Sequence, residues 1–392
     1  MHLVEEHYYP TSNKIVLKVL GIWPHDKSRL VFLKRVLIIT LIVTYIILQL
    51  SIFITTKYNM ALFSNIMSFV ILFTGMGIKY CIFIFKSKTI KILHYYIQED
   101  WKMMQSKLEI DILQKHAHSC RNYVIYIFYA VEFFVVGIIV VQFFPIILDF
   151  VSPLDEPRPR KTIVAVEYFI SQDNYFYAIV FHEFTIMFLC TSVILATGTQ
   201  AMLLMYHSFG MFKIACHRME HSIDDRVLYM PNCERAIYEK IVQVVIVHRR
   251  AMEFTNIFLS SFNVPYCIFA TLGVLSLSVN LFKLVQSIII VKNIEDTFIS
   301  FTTILGHLLY MFMAIYVGQQ ATDYNNELFK LVYSTSWYLM PITSQKLILF
   351  LLCSTGKEFY YTIGFIFVAK MENFAMLVNT ALSYVAVMYS VQ

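Results

Sequence analysis

Stretches of about 20 apolar residues recur along the chain, separated by charged segments, and this alternation limits the possible folds more than any other feature. A hydrocarbon layer of ~30 Å takes ~20 helical residues to cross, and it offers no partner to an open backbone amide. Each stretch therefore predicts a membrane-spanning helix. The spans are expected at 36–55, 61–85, 123–148, 175–206, 262–284, 297–317 and 363–391. The apolar run 347–353 is too short to cross and predicts part of a helix buried against protein. Composition agrees, because 58% of the 392 residues are hydrophobic and only 15% charged, too apolar for a soluble chain of this length.

The charges between the spans are distributed unevenly. Of the Lys and Arg residues, 22, not counting Lys357, fall before the first span or after the second, fourth and sixth. The other connections, counted with Lys283 at the end of the fifth span, hold Lys57, Arg158, Arg160, Lys161 and Lys292. By the positive-inside rule the amino terminus is expected in the cytoplasm and, after seven spans, the carboxyl terminus outside. The first 35 residues carry six Lys or Arg and no apolar run of signal-peptide length, so the amino terminus is expected to be retained. The net charge of +5 is spread over several loops, which excludes the compact basic face that nucleic acid requires. The seven cysteines lie in spans or cytoplasmic segments and form no evident extracellular pair. No Asn-x-Ser/Thr sequon is present.

The connections also carry information. Ile237, Ile241, Val244 and Val245 recur at helical spacing, so helices are expected to continue into the cytoplasm over 207–256. The outer loop 149–174 holds Pro153, Pro157 and Pro159, turn chemistry that suits a lid. Inside the spans, Glu132 and His307 lie near mid-membrane, where each is expected to pair with the other, bond a polar ligand or find a hydroxyl partner. Lys79 is expected to snorkel, and His182 and Glu183 to be hydrated near the outer surface. His217 and His221 have metal-ligand spacing without a third ligand nearby, so no metal site is expected. His182-Glu183 lacks the second His of a zinc protease, and no phosphate loop, dinucleotide fingerprint or G-x-S-x-G is present. The sequence gives no reason to expect an enzyme or a cofactor.

Other receptor and transporter classes leave marks that are missing. The third span has no Cys at its outer end and no D-R-Y-like triplet, and the seventh has no N-P-x-x-Y, which disfavours a G-protein-coupled receptor. No internal repeat is visible, which disfavours an inverted-repeat transporter. Instead, Gly318, Tyr333 and Trp337 form G-x14-Y-x3-W. Lys346 and Leu347 open a following helix, Met371, Glu372 and Phe374 begin the last one, and Ser383-Tyr384 closes it. Further upstream stand His207, Ile214 and Arg218, then His248 and Phe254. In these residues, in length and in span number the chain resembles the insect odorant receptors. It departs at Ser354 and Glu358, where many members carry R-x-x-x-P, and it is shorter than the shared co-receptor.

The resemblance implies an all-α membrane protein of seven transmembrane helices in inverted topology, its last helix split into a cytoplasmic and a membrane half. It implies a bundle over 1–317 and an anchor helix plus pore-lining span over 318–392. It further implies a ligand-selective subunit of a nonselective cation channel, partnered in a tetramer by the co-receptor and opened by a small lipophilic odorant. Tyr333, Trp337 and Lys346 fall in the subunit anchor, and Val387, Ser390 and Val391 at the pore gate. By spacing alone, Val387 and Val391 share a helix face that forms a dewetting ring or meets lipid or another helix. The ligand would lie in the outer half of the bundle, where Phe69, Phe73, Phe133, Gly137, Val141, Phe181, Phe184, Phe188, His307, Tyr310 and Met311 stand. Ordinary helix packing accounts for such aromatic stripes equally well. A gustatory-type channel of the same superfamily, and a receptor acting through G proteins, are the alternatives.

Overall fold

The structure, a computed structural model, describes residues 11–104, 106–153, 158, 162–222, 233–291, 294–356, 362–363 and 367–391. Short polar residues start several of its helices. The Ser28 side chain accepts from the Val31 amide at 3.3 Å, Asn59 from Leu62 at 2.6 Å and Ser106 from Glu109 at 3.2 Å. In chain order the helices are α1 (Thr11–Val19), α2 (Arg29–Leu50), α3 (Ile52–Thr55), α4 (Met60–Phe85), α5 (Ser87–Lys102) and α6 (Lys107–Val151). They continue as α7 (Gln172–Glu220), α8 (Cys233–Gln286), α9 (Ile294–Ser334), α10 (Ile342–Thr355) and α11 (Met371–Val391).

Among the described residues, six segments are long and apolar enough to cross a membrane: Arg29–Thr55, Met60–Phe85, Lys107–Val151, Asn174–Glu220, Cys233–Ile290 and Ile294–Ser334. Helix α11 adds a seventh apolar helix of 21 residues, about 32 Å at 1.5 Å per residue. The expected seventh span began eight residues too early. Thr362–Ile363 and Phe367–Val368 pair as two antiparallel strands, and the helix starts only at Met371. The run TIGFIFV is apolar enough to pass for a span, but its β-branched and aromatic residues favour strands. Pro157, Pro159 and Glu358 lie outside the described residues.

Helices α6 to α9 run for 45, 49, 54 and 41 residues, at least about 60 Å each and roughly twice a bilayer core. They therefore project well beyond the membrane at one end, called here the extended end, where α10 docks. The opposite, loop end is covered by residues 162–171. One apolar core runs through the spans around Tyr45, Phe73, Tyr80, Phe258 and Phe262. A second fills the extended end with Phe212, Ile237, Ile241, Val244, Leu328 and Leu351, the predicted helical positions among them. A third, of Val274, Leu277, Ile304, Met311, Leu377 and Ala381, fastens α11 to α8 and α9. At Gly210 the helices α6 and α7 approach so closely that an added Cβ would stand 2.7 Å from Leu113 Cδ2.

Candidate functional site

The loop end is stitched together by backbone donors. The Ile163 amide donates to Gln142 Oε1 at 3.1 Å, the Val164 amide to Glu183 Oε1 at 2.9 Å, and the Glu167 amide to the Leu48 carbonyl at 3.1 Å. Thr55 adds a hydroxyl bond to Glu167 Oε2 at 3.1 Å, and Tyr168 donates to His182 Nδ1 at 2.7 Å. These bonds hold the segment across α2, α6 and α7 as a lid. They also correct an expectation, because Glu183 is fully buried under the lid rather than hydrated.

Beneath the lid the aromatic residues divide. Phe69 and Phe73 point inward with ring centroids 6.2 Å apart, and Phe73 meets Tyr45 edge-on at 5.4 Å. Phe184 is half-buried with its ring 6.1 Å from Phe143, and Val141 packs against the main core. Gly137 leaves its space to Phe298, whose Cζ would be 3.4 Å from an added Cβ. Phe133, Phe181 and Phe188 instead project from the bundle, 74%, 75% and 64% exposed, on the surface a bilayer would cover. His307 donates from Nδ1 to the Thr303 carbonyl of its own helix at 2.8 Å, and Glu132 is half-buried.

On α9, Tyr310 receives a bond from Lys79 Nζ at 2.6 Å, and the ammonium lies 4.5 Å from the Tyr310 ring centroid and 5.9 Å from that of Phe269. Lys79 is buried, so it does not snorkel. A phenol and two π faces replace water around its charge. Lys283, counted with the outer connection although it lies at the end of the fifth span, is likewise buried, donating to Asn65 Oδ1 at 2.9 Å with its Nζ 5.3 Å from the Phe69 ring centroid. The signal for both was their rarity: a lysine inside an apolar helix asks for a partner. Met311, next to Tyr310, is buried in the third core, against α8 and α11.

Helix α11 packs through Leu377 and Ala381, while its other face, including Leu382, Tyr384 and Val387, is open. Val387 is 57% exposed, and the exposed Ser390 hydroxyl donates to the Val387 carbonyl at 2.8 Å. Val391 is the last residue of α11, and its side chain lies outside the description.

At the extended end, buried charges are matched. Asp100 accepts from His207 Nε2 at 2.8 Å and from the Arg250 guanidinium, which also stacks over Tyr96. Arg218 holds Glu109 through two bonds of 2.6 and 3.0 Å. His248 donates to Asn325 Oδ1 at 3.2 Å, and Asn325 donates to the Thr355 carbonyl at 3.1 Å, which locks α10 onto α8 and α9. Outside this matched interior, Tyr333, Trp337, Leu339, Ile342, Leu349 and Phe350 form an exposed apolar surface beside the exposed Lys346. Glu220 joins His217 and His221, with ligand atoms all within 4.8 Å of one another, and so supplies the third group the spacing alone did not reveal.

The matched network uses His207, Arg218 and His248, three of the residues that carried the resemblance. A sequence model described as 7tm Odorant receptor matches residues 32–382. The chain belongs to the 7tm odorant receptor family. The receptor's fold is also that of solved insect olfactory receptors. It is similar to OR5 from Machilis hrabei in complex with eugenol at 16% identity and a TM-score of 0.75, over 97% of each chain. It is similar to a second structure of the same Machilis hrabei receptor at 13% identity and a TM-score of 0.74, again over 97% of each. No curated protein matches the sequence. The receptor is thus a multi-pass membrane protein of olfaction, in a family of receptors rather than enzymes.

Proposed function

We propose that this odorant receptor is the ligand-selective subunit of a ligand-gated, nonselective cation channel in the plasma membrane of an olfactory neuron's dendrite. Its extended end faces the cytoplasm, its partner is the odorant co-receptor, and the assembly is a heterotetramer. A small lipophilic odorant binds among Phe69, Phe73, Val141, Phe184 and the α9 residues Tyr310 and Met311. Val387, Ser390 and Val391 line the gate, and Tyr333, Trp337 and Lys346 belong to the subunit anchor.

One observation carries the reading. Met311 is a neighbour of Tyr310 on the ligand side and shares a core with Leu377 and Ala381 of α11. A ligand that shifts α9 thereby moves the wall against which α11 rests. The open face of α11 and the apolar surface around Trp337 are what a tetramer would cover. A ligand that binds the open arrangement a hundredfold more tightly supplies about 2.7 kcal/mol per site toward opening.

The test is expression with and without an insect odorant co-receptor. Odorant-evoked cation current is expected only with the co-receptor and should persist when G proteins are blocked. Abolition by the block, or a normal current from the subunit alone, would remove the reading. Within a conducting complex, Met311→Ala should raise the odorant concentration for half-maximal current about tenfold while leaving surface expression unchanged.

A further inference from the structure

Under the lid, beside Phe73 of the aromatic residues assigned to the odorant, three buried polar side chains have atoms without a protein partner among the described residues. They are the Tyr45 hydroxyl, both side-chain polar atoms of Gln49, and Glu183 Oε2. Tyr45 and Gln49 are 0% exposed and Glu183 is 1% exposed. Tyr45 and Gln49 are four apart on α2 and so share a face one turn apart. Tyr45 lies within electrostatic reach of Glu183, and its ring meets His182, the neighbour of Glu183, at 5.5 Å. The lid closes over the same place, since Val164 bonds Glu183 and Glu167 bonds Leu48, the residue before Gln49.

Each unpaired buried polar group costs on the order of 1–3 kcal/mol, more where charge is involved. Three beneath one lid segment, two on a single helix face and the third within electrostatic reach of Tyr45, are an expensive arrangement. Among the described residues no Lys or Arg pairs with Glu183, so the only formal charge offered by the three groups is that of a carboxylate. The free acceptors are one carboxylate oxygen, one amide oxygen and one phenol oxygen. A protonated primary amine carries a positive charge and three N–H donors, one for each. Phe73, packed on Tyr45, supplies an apolar wall for the carbon chain.

We infer that Tyr45, Gln49 and Glu183 form a binding site for the head group of a small primary amine, held as its ammonium ion beneath the lid. This names a ligand class for the odorant receptor and rests on that reading for its biological use, but binding itself is measured without a channel.

The experiment uses the full-length purified receptor in nanodiscs at neutral pH, titrated with n-hexylamine and with hexyltrimethylammonium, which has the same charge and no N–H donor. Hexylamine should bind at least tenfold more tightly. Glu183→Gln should erase that preference, and Tyr45→Phe, which keeps the ring against Phe73 and His182, should reduce it at least threefold. Equal binding of the two probes by the unmodified receptor, or a preference that survives in both variants, overturns the site. Should Glu183→Gln fail to fold, Tyr45→Phe and Gln49→Leu decide alone, and an unchanged preference in both overturns it. Amine selectivity without odorant-evoked current counts against the channel reading only, and current without amine selectivity counts against this site only.

Discussion

The two ends of the receptor treat buried charge differently. At the extended end Asp100, Arg218 and His248 each meet a partner on another helix, and the bonds cross between α5, α6, α7, α8 and α9. At the loop end Tyr45, Gln49 and Glu183 keep polar atoms that no described residue satisfies. The eighteen most apolar residues of α6, which lead toward that end, include no fully buried side chain. The contrast teaches that rigidity is concentrated where subunits are proposed to meet, and that adaptability is left where a small molecule would enter. Matched charges specify one arrangement of helices, whereas unmatched ones wait for an occupant.

The largest effect that tests this contrast is at Asp100. Asp100→Ala strands the buried His207 and leaves Arg250 without its carboxylate, so a loss of about 3–5 kcal/mol is expected. Thermal unfolding in detergent checks it, and an unchanged midpoint would break the comparison. Gly210→Ala comes next, at about 1–3 kcal/mol, because its new methyl group presses on Leu113 where α6 and α7 cross. The same assay should show the same substitution at Gly198 to be mild, since an added Cβ there meets nothing within 4 Å.

A smaller effect sharpens the picture through pH. His94 donates to His25 Nε2 at 3.1 Å, accepts from Gln200 Nε2 at 2.9 Å and lies against Trp23. Burial, and then the neighbouring His25, push its imidazole down from 6.5 to about 3. Below about pH 6.5 the unfolded chain therefore takes up a proton that the folded one refuses, and stability falls as pH drops toward 3. The slope from this group reaches about 1.4 kcal/mol per pH unit at most, and it should vanish in His94→Gln when unfolding midpoints are compared across that window. The smallest effect is expected at the loop end's surface. Phe133→Ala should change stability by less than about 0.5 kcal/mol, because its ring is largely outside the packed interior, whereas Phe73→Ala should cost several-fold more.

Much of this architecture was legible in the amino-acid order, and the reasons are specific. The spans were visible because lipid demands apolar length, and the helical continuation past the fourth span because Ile237, Ile241 and Val244 keep one face. The direction in which each aromatic residue points was not legible. In a helix that is apolar all round, Phe181 facing outward and Phe184 turned toward Phe143 obey the same pattern. Polar residues were conspicuous by rarity, but their surroundings were not, since the partner of Lys79 is 231 positions away and the donor to Glu183 comes from a loop that folds back. Hydropathy likewise cannot separate the paired strands Thr362–Ile363 and Phe367–Val368 from the start of a helix.

Helix α8 runs unbroken from the matched network to the lid end, and Pro265 stands within it. Proline has no amide hydrogen to give the preceding turn, so the rod has one place where bending is cheap. From Pro265 to Gln286 is about 32 Å at 1.5 Å per residue. A tilt of about 5° there sweeps the tip sideways by about 3 Å while the far half stays still, a displacement comparable to the radius of a hydrated alkali ion.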